Sequence, residues 1–292
     1  MGMYKQVRTN WNRWGNQDER GTVNLLNQAH VLESFELVKT GRVYSLGAPV
    51  GKDGPVGPDR NKTWHVLNAI GNDPKPGGGG GADDILVTHC HASTHIDAFS
   101  HIWYENQLFN GHGSETVTPD GAMKCGVEKI GWIISRGLML DIPSMLGMDR
   151  LPDTYAISVK EIEDCLTENK LKVRSGDVLL IRTGWYKSFL QGDANMDSYP
   201  GVSRELCGWL YDQDIVVLGA DNVAVEIYPP EPESNGTLPV HKTMLRDLGA
   251  HLIEFLNLEE LARDKVNEFL FITAPLKITG GIGSPINPLA IV

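Results

Sequence analysis

Apolar positions along the chain fall mostly in short runs rather than long stripes. Residues 85–88, 131–134, 138–140, 177–182, 215–218, 250–256 and 269–278 are apolar and rich in Val and Ile, which predicts strands. Helical spacing is scarcer. Residues 28–39 carry it and run out at Gly41, a position suited to closing a helix. Residues 158–169 open with Ser158 and Glu161, the two halves of a capping box, and place Val159, Ile162 and Leu166 on one face. Further helices are expected over 203–211, 242–248 (closed by Gly249) and 258–267. Helices do not alternate strictly with strands. The pattern therefore predicts a mixed α/β fold rather than a regular doubly wound sheet, as a single domain over 1–292 with residues 1–30 as an N-terminal arm.

Composition changes this picture little. The net charge of -11 excludes the clustered basic surface that nucleic acid or an anionic membrane requires, while leaving a local site free to oppose the global field. No apolar run reaches the ~20 residues needed to span a bilayer. The first fourteen residues lack the apolar core of a signal peptide. Cys90, Cys125, Cys165 and Cys207 form no C-x-x-C pair, which fits a reducing compartment. The expectation is a soluble cytoplasmic protein acting on a small molecule. Five glycines at 77–81 lack the Lys-Ser/Thr and following helix of a phosphate loop, so they are expected to form a surface loop.

The candidate chemistry lies between His89 and His101. Four of the chain's nine histidines fall there, with Asp97 among them. Burying several such groups together is costly unless a metal offsets it. On a helix His91 and His95 would share a face, but Asp97 would point away, since each residue turns by roughly 100°. On a flat strand His91 and His95 would stand ~13 Å apart, too far for one ion. A strand over 85–91, a sharp turn at 92–94 and a return at His95 and Asp97 reconcile both demands. His91, His95 and Asp97 are then the expected ligands and His101 the proton-transfer group. A divalent ion in such a site lowers the pKa of water to about 7 and polarises a carbonyl, the chemistry of amide, imide or ester hydrolysis.

Downstream, Glu254 sits inside the apolar run Leu252-Ile253-Glu254-Phe255-Leu256, and His241 precedes a short helix. A carboxylate in such a run must be paired or coordinated, and on the residues alone Arg182 and a metal are equal candidates. Cys90, by strand alternation, is expected to point away from His91 as a buried structural cysteine.

These residues resemble a known family. His91-Ala92-Ser93-Thr94-His95-Ile96-Asp97-Ala98-Phe99-Ser100-His101 is similar to the H-x-G-T-H-x-D-x-P-x-H signature of the cyclase-like metal-dependent hydrolases, which include kynurenine formamidases and isatin hydrolases. Trp14-Gly15 with Asp18-Glu19, Gly176 to Trp185, Gly219-Ala220-Asp221-Asn222 with Glu226, Leu238 to His241, and Gly283 to Ala290 resemble further blocks in the family's order. The resemblance implies a swivelling β/β/α-type domain with a mixed central sheet or barrel-like core, and metal-dependent opening of an amide, cyclic imide, lactam or lactone. It also implies that His241 and Glu254 join the ligands, that one or two divalent ions (Zn2+ or Mn2+) are held, and that the chain forms a homodimer or homotetramer. Trp11 and Trp14 are then candidates to cover a neighbour's site. Ser93 replaces the family glycine, so a turn needing φ > 0 would put it in a left-handed conformation. Phe99 replaces the family proline.

The substrate is expected to be aromatic or cyclic, with Trp64, His65, Trp103, Tyr104 and Phe109 as pocket or core residues. A non-catalytic metal or small-molecule binding protein on the same fold is the alternative, as is a metal-dependent lyase or dehydratase. His101 discriminates the first, since a binding protein has no need of a proton shuttle.

Overall fold

The computed structural model describes residues 8–71, 76–234 and 237–292. In chain order its main strands are β1 (Val43–Ser45), β2 (Trp64–Ala69), β3 (Asp83–Val87), β4 (His95–Asp97) and β5 (Ile133–Asp141). They continue as β6 (Val178–Arg182), β7 (Val217–Ala220), β8 (His251–Glu254), β9 (Glu268–Thr273), β10 (Gly283–Pro285) and β11 (Leu289–Ile291). Nine of them form one mixed sheet in the order β1-β11-β9-β5-β6-β7-β8-β4-β10. The inner run β5-β6-β7-β8 is parallel. The strands on either side of it are antiparallel. The mixed α/β class expected from the patterning is therefore the class observed.

Parallel neighbours need crossover connections, and helices at Val159–Glu168, Trp185–Gln191, Leu206–Leu210 and Lys242–Leu248 lie within them. Both faces are covered, so β6, β7 and β8 are buried at every position and their sequences read as continuous apolar runs. Alternate residues feed two cores: Leu179, Ile181, Leu218 and Leu252 enter one, Val178, Leu180, Val217 and Ile253 the other.

Several boundaries moved for identifiable reasons. The runs 131–134 and 138–140 merge into β5, because Arg136 in the polar gap is paired with Asp177 at 3.1 Å and Glu268 at 2.6 Å. Gly137 leaves room there for the Phe269 ring. The capping box forms as expected, with Ser158 accepting from the Glu161 N–H and the Glu161 carboxylate accepting from the Ser158 N–H. The first helix stops at Phe35. Residues 242–248 wind as a π-helix, ending at Gly249 with φ +61°. Thr243 to Leu248 are all buried, so this segment has no solvent face. The arm lies across it: the Asn10 N–H donates to the Asp247 carbonyl at 2.9 Å, and the Trp11 indole to the Arg246 carbonyl at 2.8 Å. Trp11 and Trp14 both rest against this chain's own core.

The strand expected over 85–91 ends at Val87 and does not join the main sheet. It pairs with β2 in a separate hairpin, with the exposed glycine run in the connection between the two strands. Paired residues share a face, so Trp64, Val66, Ile85 and Val87 line one side and His65, Leu67, Asp84 and Leu86 the other. Neither side finds a core. Trp64, Leu67, Ile85, Leu86 and Val87 remain 46–54% exposed, a marginal arrangement for two strands in water.

Candidate metal centre and active site

The site is built where the parallel run gives way to antiparallel pairing, on β4 and β8. Alternation puts His95 and Asp97 on one face of β4 and sends Ile96 into the core. The register places Glu254 directly opposite His95, so it emerges on the same face. The His95 Nε2 lies 3.1 Å from Glu254 Oε2 and 3.5 Å from Asp97 Oδ1.

His91 reaches this face from a turn, not from the end of a strand. Ala92 bridges to Val56, and Ser93 adopts φ +56°. The left-handed conformation anticipated for Ser93 is present, and the structure holds it in place. The Ser93 N–H donates to the Pro55 carbonyl at 2.7 Å, and its hydroxyl donates to the carbonyls of Ala48 at 2.7 Å and Pro49 at 3.1 Å. Next to it, the Thr94 hydroxyl donates to the Phe255 carbonyl at 2.6 Å and accepts from the Ala48 N–H at 2.7 Å. These bonds fix the bend that sequence geometry demanded, although the strand before it belongs to the hairpin. His91 Nε2 then comes within 3.4 Å of Asp97 Oδ1. Gly283, opposite Asp97 on β10, is required here: a Cβ at that position would sit 2.7 Å from the His91 Nε2.

His241 enters from the short helical turn Pro239–His241 that leads into the π-helix. Its Nε2 stands 3.1 Å from Glu254 Oε1 and 3.8 Å from Asp97 Oδ2. Glu226 orients it, lying 2.7 Å from its Nδ1 and accepting from the Val240 and His241 N–H groups at 3.1 and 2.9 Å. His101 stacks on His91 with ring centroids 4.1 Å apart. It is half-buried, whereas His91, His95 and His241 are buried.

The six residues singled out in the sequence are thus gathered around Asp97. Five of them form two compact groups that share Asp97: His91, Asp97 and His101 in one, His95, Asp97 and Glu254 in the other, each with donor atoms within 4.8 Å of one another, while His241 stands beside Glu254. Four of their buried donor atoms are unpaired. His91 Nε2, His95 Nε2 and both Asp97 oxygens lack a hydrogen-bond partner, although buried polar groups normally have one. The His95 Nδ1 faces the Ser93 carbonyl at 3.0 Å, so the ring donates there and leaves Nε2 as the nitrogen turned inward. Nitrogen and carboxylate donors without thiolate fit a divalent metal ion.

Electrostatics tell the same story. Burial pushes the His91 imidazole down to about 3 and also lowers His101. Burial alone would raise the Asp97 carboxyl, but the neighbouring histidines hold it well below the usual range. Against the same burial, Glu254 and Asp97 lift His95 to about 9, while Glu226 and Glu254 lift His241 to about 10. Carboxylates thus raise both imidazoles, and a divalent cation held among them would compete with those ring protons.

Arg182, the other candidate partner for Glu254, is engaged elsewhere, 2.9 Å from both Asp141 and Glu259. Cys90 is half-buried rather than buried. Phe109 is core, while Trp64 and Trp103 are exposed and Tyr104 donates its hydroxyl to Asp247 at 2.8 Å. Two site-supporting residues carried no assigned role in the sequence: Glu226 and His251. The His251 Nδ1 donates to the Asp97 carbonyl at 2.8 Å, and its ring stacks on Phe99 at 4.2 Å. Phe99, at the family proline position, thereby braces this part of the site. The only available signal for His251 was its place in the same apolar run as Glu254.

The family model described as "Putative cyclase" matches residues 29–227, and the chain belongs to that family. A crystal structure described as a novel cyclase superposes with TM-score 0.90 at 32% identity, covering 98% of this chain and 100% of that one. Isatin hydrolase of Roseibium aggregatum is 24% identical over 227 residues, 71% of this chain and 73% of the relative. An isatin hydrolase bound to the product analogue thioisatinate has TM-score 0.64 and 22% identity, covering 90% of this chain and 95% of that one, and shares the fold.

Proposed function

We propose, taking membership of the cyclase family as the premise, that this protein is a metal-dependent hydrolase that opens an amide, cyclic imide, lactam or lactone bond of a small molecule. The observation that carries the reading is the ring of buried, unpaired donors around Asp97. His91, His95, Asp97, His241 and Glu254 would hold one or two divalent ions, zinc or manganese by donor type. When bound, such an ion supplies Lewis acidity, polarising a carbonyl and lowering the pKa of water. His101 is assigned the proton transfer, because it is the half-buried imidazole beside the ligands and burial keeps it in the neutral form that accepts a proton. Glu226 fixes the tautomer of His241, so that Nε2 is the nitrogen offered to the ring. The isatin hydrolase relative and neighbour favour a cyclic amide among the candidate bonds.

The test is His101→Ala in metal-reconstituted protein, screened against formamides, cyclic imides and lactones with products identified by mass. Turnover is expected to fall by about 10²–10⁴-fold with metal content unchanged. Full turnover in that variant would remove His101 from the mechanism, and protein that retains no divalent ion after supplementation would overturn the reading itself. The homodimer or homotetramer implied by the family is proposed to cover the β2–β3 hairpin, whose side chains this chain leaves exposed. A monomer by light scattering would refute that.

A further inference from the structure

Arg246 joins three segments that lie far apart in the sequence. It is buried, yet every guanidinium nitrogen finds a partner. Nη1 donates to Asp247 Oδ1 at 2.9 Å, Nε to the Gln107 carbonyl at 3.3 Å, and Nη2 to Gln107 Oε1 at 3.1 Å and Glu105 Oε2 at 3.3 Å. Two aromatic rings lie against it as well. The guanidinium carbon stands 3.7 Å from the ring centroid of Tyr104 and 4.6 Å from that of Trp11. A guanidinium withdrawn from water gains most from such rings, and its planar fork loses little entropy in making several bonds at once.

Each partner belongs to a segment that leads to the donor ring or is tied to one that does. Arg246 itself lies on the π-helix that continues from His241, a winding that recurs at functional sites. Tyr104, Glu105 and Gln107 belong to the tight turn just after His101. There the Gln107 N–H donates to the Tyr104 carbonyl at 3.1 Å, and Glu105 and Asn106 take φ +54° and +56°. A closed turn of this kind moves as one body, so whatever docks it also places His101. Trp11 brings in the arm: its indole donates to the Arg246 carbonyl while its ring covers the guanidinium, and the Asn10 amide donates to the Leu248 carbonyl at 3.0 Å. Asp247 closes the same knot, accepting from the Tyr104 and Tyr211 hydroxyls at 2.8 and 3.0 Å. The His101 and His241 rings that the two segments deliver meet edge to face, with centroids 6.4 Å apart.

We propose that Arg246 is a positioning residue: by clamping the turn after His101 to the π-helix after His241, beneath Trp11 of the arm, it sets the proton-transfer imidazole against the metal ligands. Its effect passes through those two histidines. The inference rests on the hydrolase reading only in taking His101 and His241 as site residues.

The experiment reads the two histidines directly. Protein isotope-labelled in its histidine rings is compared by NMR, free of metal, as wild type, Trp11→Ala, Trp11→Phe and Arg246→Gln. The His101 and His241 ring signals are expected to move in Trp11→Ala and Arg246→Gln, while His30, held by Ser135 at 2.8 Å, stays in place. Trp11→Phe keeps a ring over the guanidinium and should recover most of the wild-type pattern. After metal loading, Arg246→Gln should lower kcat by about 10–100-fold with KM within about 3-fold, because a misplaced catalytic group costs rate more than binding. A merely structural arginine would lower the unfolding midpoint and leave the ring signals of the folded protein alone. Unmoved His101 and His241 signals in folded Arg246→Gln overturn the proposal. If that variant does not fold, unmoved signals in Trp11→Ala overturn it instead. The two readings fail separately: absence of any hydrolysed substrate removes the hydrolase, and the ring signals still decide the clamp.

Discussion

Asp97 and Asp221 are both fully buried; Asp97 ends β4 and Asp221 directly follows β7 of the same sheet. Asp221 is saturated: it accepts from the Thr183 N–H at 2.8 Å, the Thr183 hydroxyl at 2.7 Å and the Gly184 N–H at 2.8 Å. Asp97 accepts no hydrogen bond and looks at imidazoles instead. Two carboxylates with equal burial thus serve opposite ends. One ties the turn after β6 to the end of β7 and is a structural acid. The other has its bonding capacity held open, a costly arrangement unless a ligand fills it. What separates them is the supply of N–H donors, not burial or residue type.

The sharpest way to break this contrast is to make both aspartates amides. Asp97→Asn is expected to remove bound metal and lower turnover by at least about 10³-fold, because both donor groups share that carboxylate. Elemental analysis and turnover on the same sample would show it, and full metal retention would place Asp97 with the structural acids. Asp221→Asn should leave metal stoichiometry intact and cost about 2–4 kcal/mol of stability, since an amide NH2 must face an N–H donor. Denaturant unfolding measures it, and an unchanged midpoint would mean that the turn is not held by this carboxylate.

Glu226 sits between the two cases. It is saturated like Asp221 yet acts through His241, so Glu226→Gln should weaken metal affinity by about 10–100-fold with little change in fold. Competition with a chromophoric chelator reads this, and wild-type affinity would demote the carboxylate to a backbone cap. Gly283→Ala perturbs the ring from outside by crowding His91 Nε2, at a cost of about 1–3 kcal/mol. A measurable fall in metal affinity is expected with it; an unaltered affinity would show that His91 can give way without leaving the site.

Legibility followed the same divide. The donors on and around β4 lie within eleven residues, and strand alternation with a bend sufficed to aim His91, His95 and Asp97 together. The bend itself could be inferred because a straight chain cannot bring His91 and His95 to one ion. The carrier strand could not be inferred. Residues 85–91 read as the strand that carries His91, yet only 83–87 form one, in a hairpin exposed on both sides, because no local pattern states what will or will not pack against an apolar face. Glu254 was ambiguous for a similar reason. Its run fixed a strand, but only the register with β4 turned it towards His95, while Arg182 was taken by Asp141 and Glu259. The 242–248 segment read as a helix from its spacing, and its π winding emerged only with burial on every side.

By itself, then, the sequence determined the class of fold, the chemistry of the donors, and the need for a bend between His91 and His95. Those follow from local periodicity and side-chain type, which a single segment carries whole. Tertiary structure decided which donors share Asp97, and that Glu226 and His251 brace them. Each of these depends on contacts between residues distant in the chain, and on which hydrogen bonds the folded chain leaves unmade.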